Sequence, residues 1–240
     1  MLRCLCSGKH LPFAFQKMYP FPLASISNPQ FVKIKKMKNT LFLLVAAALI
    51  SWLSACNKDN DGLQLQSHDA NRMMDSLHAM MSRMEAMPMT NDPEIDFAKM
   101  MIMHHQGAIN MSTVQKGEGS SDTLKRFSQK VIAAQTMEIQ ELNAILATET
   151  VNNSVPAHTM ENMAHMQKMD QMADVQLITG DLDNDYATLL ILHHNSAIEN
   201  AEAYLMYGNN TQLKAMAQKM IDDQKKEIEE LSNWLKANKR

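Results

Sequence analysis

Cysteine occurs only at Cys4, Cys6 and Cys56, so from residue 57 onward the chain has no thiol. That excludes disulfides and thiolate metal sites from the part that would remain after export, and leaves methionine as its only sulfur. Proline is as restricted: four of the seven lie before residue 30, and Pro88, Pro93 and Pro156 alone interrupt the rest. Basic residues are also few. The first 56 residues hold seven Lys or Arg and no acid, so the remainder carries 16 basic against 26 acidic residues, a formal charge of -10. A surface of that sign excludes nucleic acid as a partner, because phosphate binding needs clustered Lys and Arg. No nucleophile beside a base, phosphate-cradling loop or cofactor fingerprint is present, and the chain is not expected to be an enzyme.

The one long apolar run lies between Met37 and Cys56, MKNTLFLLVAAALISWLSAC, a basic start followed by a hydrophobic stretch and small residues. This is a signal peptide in form, too short to be read as a lasting membrane span. Leu53-Ser54-Ala55-Cys56 resembles a bacterial lipobox, which makes Cys56 the expected lipidation site and new N-terminus. Residues 1–36 read as an extension or mis-assigned start, 37–56 as the lipoprotein signal peptide and 57–67 as a linker.

What is abundant is helix-forming: Ala, Leu, Met, Gln, Glu and Lys fill the proline-free stretches and predict helices over 68–87, 94–116, 121–147, 157–178, 182–207 and 211–237. A repeat at an offset of 89 residues organises them. Asp96 through Ser112 recurs from Asp185 with 7 of 17 positions identical, and LKRFSQKVIAAQTMEIQELNAIL from Leu124 recurs from Leu213 with 11 of 23 identical. The chain is thus a tandem duplication, 68–147 and 157–238 joined by a linker at 148–156, each copy holding a His-His helix and a Gln-x-x-Glu helix. Short connections make such helices antiparallel neighbours, and two hairpins can close a four-helix bundle. A methionine-rich helix precedes each hairpin and is expected to stand outside the bundle as an arm.

Twenty of the 23 methionines follow residue 56. Met160, Met163, Met166, Met169 and Met172 recur every third residue, stepping about 300° each time and winding slowly round the helix. That spreads sulfur over more surface than one core stripe needs. A thioether is a soft, neutral ligand suited to Cu(I), whereas the alternative role is flexible packing or a partner surface. His158 and His165 share this helix, as His78 shares the first with Met81, and imidazole extends the ligand set to Cu(II).

Neighbouring histidines on a helix point about 100° apart, so His104 and His105 cannot both face one metal without another helix. Spacing by three and four puts Asp96, Met100, His104 and Met111 on one face and Met101 with His105 on the next. The second copy has His193 and His194, but Leu189 and Asn200 replace the methionines, so the first copy is expected to bind more tightly. Direct ligation and interhelical hydrogen bonding both remain open for these pairs. Gln135 and Glu138, like Gln224 and Glu227, interrupt apolar stripes and need partners. The histidines of the adjoining helix are the expected ones, which gives these four residues, with Asp96 and Asp185, an orienting role behind the ligands. Gly107 lies well inside a helix and permits another helix to come close.

The string MMIMHHQGAINMS, with Asp96 and Phe97 before it and Gln135-x-x-Glu138-Ile139 after it, resembles the ferritin-like family catalogued as domain of unknown function 305, which includes periplasmic copper-binding proteins of the CopM type. The resemblance runs over about residues 68–238. It implies an all-α, ferritin-like four-helix bundle and a role in copper binding or resistance, carried here by Met100, Met101, His104, His105 and Met111, with His193 and His194 matching in part.

The expectation is therefore an envelope protein on the periplasmic face of a bacterial membrane, held by a lipid alone, that sequesters Cu(I) or Cu(II) through Met and His. A copper-trafficking partner or a second copy would be its protein partner. A ferritin-like di-iron protein is one alternative, using Asp96, His104, Glu138, Asp185, His193 and Glu227, although neither copy has the Glu-x-x-His pair usual in such sites. A metal-free scaffold with a methionine-rich partner surface is the other.

Overall fold

The computed structural model describes residues 65–239; the signal peptide, the lipobox with Cys56 and most of the linker lie outside them. Among the described residues every regular element is helical: a short 3-10 turn at His68–Ala70, then α1 (Arg72–Glu85), α2 (Pro93–Glu118), α3 (Asp122–Leu146), α4 (Pro156–Asp174), α5 (Leu182–Tyr207) and α6 (Thr211–Ala237). None of these is long and apolar enough to cross a membrane.

The sequence sets most starts directly. Asn71, Asp92, Ser121, Asp181 and Asn210 each cap a helix by accepting from backbone N–H groups of the first turn, and Pro93 and Pro156 occupy first helical positions where no donor is lost. Asn91 and Gly180, equivalent in the repeat, both adopt left-handed backbone, with φ of 62° and 73°. Each donates its N–H to an aspartate within the following helix, Asp96 or Asp185. The turn is thus conserved between copies although only one has glycine, since Asn tolerates this region better than most residues.

The α2–α3 and α5–α6 hairpins pack as a four-helix bundle, with α2 against α5 at its centre. The outer helices do not stand away as arms. α1 packs on α2 and α4 packs on α5, making a third layer across the central pair. Met73, Met74, Leu77, Met80 and Met84 are fully buried, because α1 has one strongly apolar face and α2, buried on nearly all sides, needs a cover. On α4 only part of the methionine run is buried: Met166 and Met169 lie in the core, Met163 is half-buried, and Met160 and Met172 are exposed.

The two copies are interlocked through reciprocal caps. Glu94 of α2 accepts from the backbone N–H of Asn209 and Asn210 at the start of α6. Its counterpart Asp183 of α5 accepts from Ser120 and Ser121 at the start of α3, and from the side chain of Gln115. Each copy thereby completes the N-terminus of the other copy's last helix.

Candidate metal centre

The duplication places α2 and α5 antiparallel at the middle of the molecule and brings His104 and His193 face to face. Their ring centroids lie 3.6 Å apart, tilted by 39°. Both residues are fully buried. His193 donates from Nε2 to the backbone carbonyl of His104 at 3.0 Å, which leaves its Nδ1 as the lone-pair nitrogen. That Nδ1 and both ring nitrogens of His104 have no hydrogen-bond partner among the described residues. Burial, followed by the repulsion of the neighbouring imidazoles, holds both groups well below the ordinary histidine range, so the pair is neutral at pH 7.

Thioethers border the pair from the outer layer. A Cβ placed on Gly107 would sit 2.6 Å from Sδ of Met80 and 3.3 Å from Nε2 of His193, so the missing side chain is what lets α1 lower its sulfur beside the histidines. Ser196 is the equivalent of Gly107 in the second copy. Its hydroxyl points at Sδ of Met166 on α4, 3.4 Å away. One methionine from each outer helix thus covers equivalent points of the central helix pair.

His105 and His194 face the other way, toward α3 and α6. Their Nε2 atoms lie 2.9 Å from Oε2 of Glu138 and of Glu227, close contacts that are not straight hydrogen bonds. Burial alone would push the Glu138 carboxyl up, but His105 and the ammonium of Lys219 together hold it below its usual value. Four imidazoles therefore run in file through the bundle, His105, His104, His193 and His194, with a carboxylate at each end. Gln135 and Gln224 lie near these carboxylates, each with its side-chain oxygen buried and unpartnered. Among the described residues no group of three or more His, Cys, Asp or Glu side chains is disposed to hold a metal, so a centre at the stacked pair would draw on thioethers as well.

The remaining residues singled out in the sequence are dispersed. Met100, Met101 and Met111 are fully buried in the common core, as is Met81 to within a few per cent. Asp96 and Asp185 do not support the histidines. Asp96 accepts from Thr90, Asn91 and Thr159, and Asp185 from Thr179, Gly180 and Asn71; each staples the turn before its own helix to the outer layer. Two turns of helix separate them from the stacked rings, too far for a carboxylate already engaged on both oxygens. His158 is buried against Tyr204 and Tyr207 and bonded to Asn162, and burial pulls its pKa down to about 4. His78 pairs with Asp174 across α1 and α4, and His165 is half-buried. The sequence set the two His-His pairs in separate copies; the stacked pair takes one histidine from each. Met80 and Ser196 were not anticipated; the glycine at 107 and its repeat equivalent were the available signals.

The model of the family catalogued as domain of unknown function DUF305 matches this chain at residues 25–146 and again at 94–235. The chain belongs to this family. A solved structure, that of a DUF305 protein from Streptomyces coelicolor described as secreted, aligns with a TM-score of 0.49 and 19% identity over 62% of this chain and 94% of that one. No curated protein matches. Within this DUF305 member the second match spans α2 to α6, and so includes both His-His helices and both carboxylates that meet them.

Proposed function

We propose that this DUF305 protein sequesters copper, chiefly Cu(I), in the cell envelope, at a centre formed by His104 and His193 with Met80 and Met166 beside them. One observation carries the reading: a fully buried imidazole, His104, with neither ring nitrogen bonded, stacked on a second whose Nδ1 is also free. A buried polar atom without a partner costs about 1–3 kcal/mol, and a cation ligated there would offset two of them, the lone-pair nitrogen of His104 and Nδ1 of His193. The donor set fits a soft ion of low charge. Neutral imidazole and thioether discriminate against hard cations, and among the described residues no carboxylate is bonded to the free ring nitrogens of the stacked pair. When bound, copper would supply Lewis acidity toward these nitrogens and sulfurs. His193 is oriented for ligation by its bond to the His104 carbonyl, and His105 and His194 link the site to the Glu138 and Glu227 carboxylates, which balance a buried positive charge.

Location in the envelope rests on the signal-peptide pattern. A lipid on Cys56 would be the sole anchor; Cys56→Ala should then leave an uncleaved precursor that takes up no labelled fatty acid.

Anaerobic titration of the mature chain with Cu(I), Cu(II), Zn(II) and Fe(II) tests the metal reading. One tight Cu(I) per chain, lost in His104→Ala/His193→Ala, is expected. Preferential binding of two Fe(II) would favour a di-iron protein, and no binding of any ion would leave a scaffold.

A further inference from the structure

Two clefts of the described residues bear on access to the proposed centre. One between α3 and α6, about 180 Å³, is lined by Glu138, Glu227 and other charged side chains. The other, about 220 Å³ between α4 and α5, has Met169, Met172 and Ser196 on its walls and the paired Lys168 and Glu199 beside them. Ser196 is the residue whose hydroxyl meets Met166, so this groove ends one side chain from the proposed centre.

The α4 methionines are graded along it. Met172 is 40% exposed, Met169 3% and Met166 0%. A spacing of three residues advances about 4.5 Å along the helix, so successive thioethers are neighbours within reach of one moving ion. Nothing similar exists on α1, where Met73, Met74, Met80, Met81 and Met84 are all buried. This gradient accounts for the C-terminal part of the run, since the groove leaves Met172 at the surface of an otherwise polar stretch.

We propose that the α4–α5 groove is the entry route for Cu(I), handed from Met172 to Met169 to Met166 and then to the His104/His193 pair. The inference rests on the copper reading above. Each transfer replaces one neutral ligand by the next, sulfur by sulfur and at the last step sulfur by lone-pair nitrogens of the pair, with no proton released, no charge stranded and no change of oxidation state. A passage through the α3–α6 cleft would instead carry a soft ion past carboxylates already paired with His105, His194 and Lys219. The Lys168–Glu199 ion pair ties α4 to α5 beside the groove, where its ammonium repels an arriving cation.

Loading and release kinetics of the mature chain, with Cu(I) supplied anaerobically from a chromophoric chelator, test the route. Met169→Leu/Met172→Leu keeps bulk and apolar character. Because a route is travelled in both directions, both rate constants should fall together, by about tenfold, with Kd unchanged; loss of a ligand would instead appear chiefly in the release rate. Lys168→Ala should load faster, most visibly at low salt. Parental rates in the methionine variant, or a Kd shift with an unchanged loading rate, would overturn the proposal. So would Glu138→Gln/Glu227→Gln slowing loading and release together, which would assign entry to the other cleft. If the methionine variant has parental rates but His104→Ala/His193→Ala abolishes tight binding, the centre stands without the route; if the parent takes up no Cu(I), both fall.

Discussion

His104 and His193, 89 residues apart and equivalent in the internal repeat, stack at 3.6 Å with the second donating to the backbone of the first. A tandem duplication has here brought one histidine of each copy into contact rather than keeping the two pairs apart. That changes what each histidine should do, and it ties the chemistry to the interlocking of the two copies.

The interlocking is testable through the reciprocal caps. Asp183 accepts from two backbone N–H groups at the start of α3 and from Gln115, whereas Glu94 serves two N–H groups of α6. Buried donors left without an acceptor cost about 1–3 kcal/mol. Asp183→Ala should therefore lower the urea unfolding free energy by roughly 2 kcal/mol or more, and Glu94→Ala by less. Equal, negligible losses would mean that solvent replaces both carboxylates without penalty.

Gly107 should matter more than its equivalent. Gly107→Ala gains up to about 1 kcal/mol in helix propensity, but its methyl group meets the middle of the Met80 side chain. Overpacking of this kind costs about 1–3 kcal/mol and displaces the sulfur. Net destabilisation and weaker Cu(I) binding are expected. Ser196→Ala, which removes only the hydroxyl contact with Met166, should change both far less. Thermal melts and chelator competition on the two variants decide the matter.

How much of this was legible beforehand differs by residue. The helices were, because Pro88, Pro93 and Pro156 and the polar caps bound stretches of strong helix formers. So was the shared polarity of Glu138 and Glu227, since a carboxylate on an apolar stripe must meet something. The identity of the thioethers beside the histidines was not. Met100 and Met111 share a face with His104 in sequence, but α2 is buried almost all round, and spacing within one helix cannot say which neighbour covers which side. Met80 of α1 and Met166 of α4 reach the central helices at Gly107 and at its equivalent Ser196. Asp96 misled for a similar reason: its face is shared with His104, yet its partners are in the preceding turn.

Acid should weaken the fold in a defined window. Burial holds His158 near pH 4 when folded against about 6.5 when unfolded, and His104 and His193 are likewise held well below the usual value. A base with a lowered folded pKa binds more protons in the unfolded chain, so its stability contribution is full above about pH 6.5 and falls as pH drops toward the folded value. Each such group adds a slope of up to about 1.4 kcal/mol per pH unit. Urea unfolding between pH 7 and 4.5 should show a steep loss, less steep in His158→Gln. A flat profile would mean that these imidazoles are hydrated in the fold.

The shared centre makes its strongest demand on a double-mutant cycle. If each copy bound its own ion, His104→Ala and His193→Ala would each remove one of two sites, and their effects would add. With the rings stacked in one centre, either substitution should abolish the same single tight Cu(I), and the double variant should be little worse than either single one, since residues in contact do not contribute additively. His105→Ala and His194→Ala act from behind, through Glu138 and Glu227, and should weaken binding by about ten- to a hundredfold, the usual range for groups that orient a ligand. Competition with a Cu(I) chelator at pH 7 gives all the affinities. Additive losses with a stoichiometry of two would restore separate sites in the two copies. Larger losses at His105 and His194 than at His104 and His193 would move the centre outward to the carboxylate ends of the histidine file.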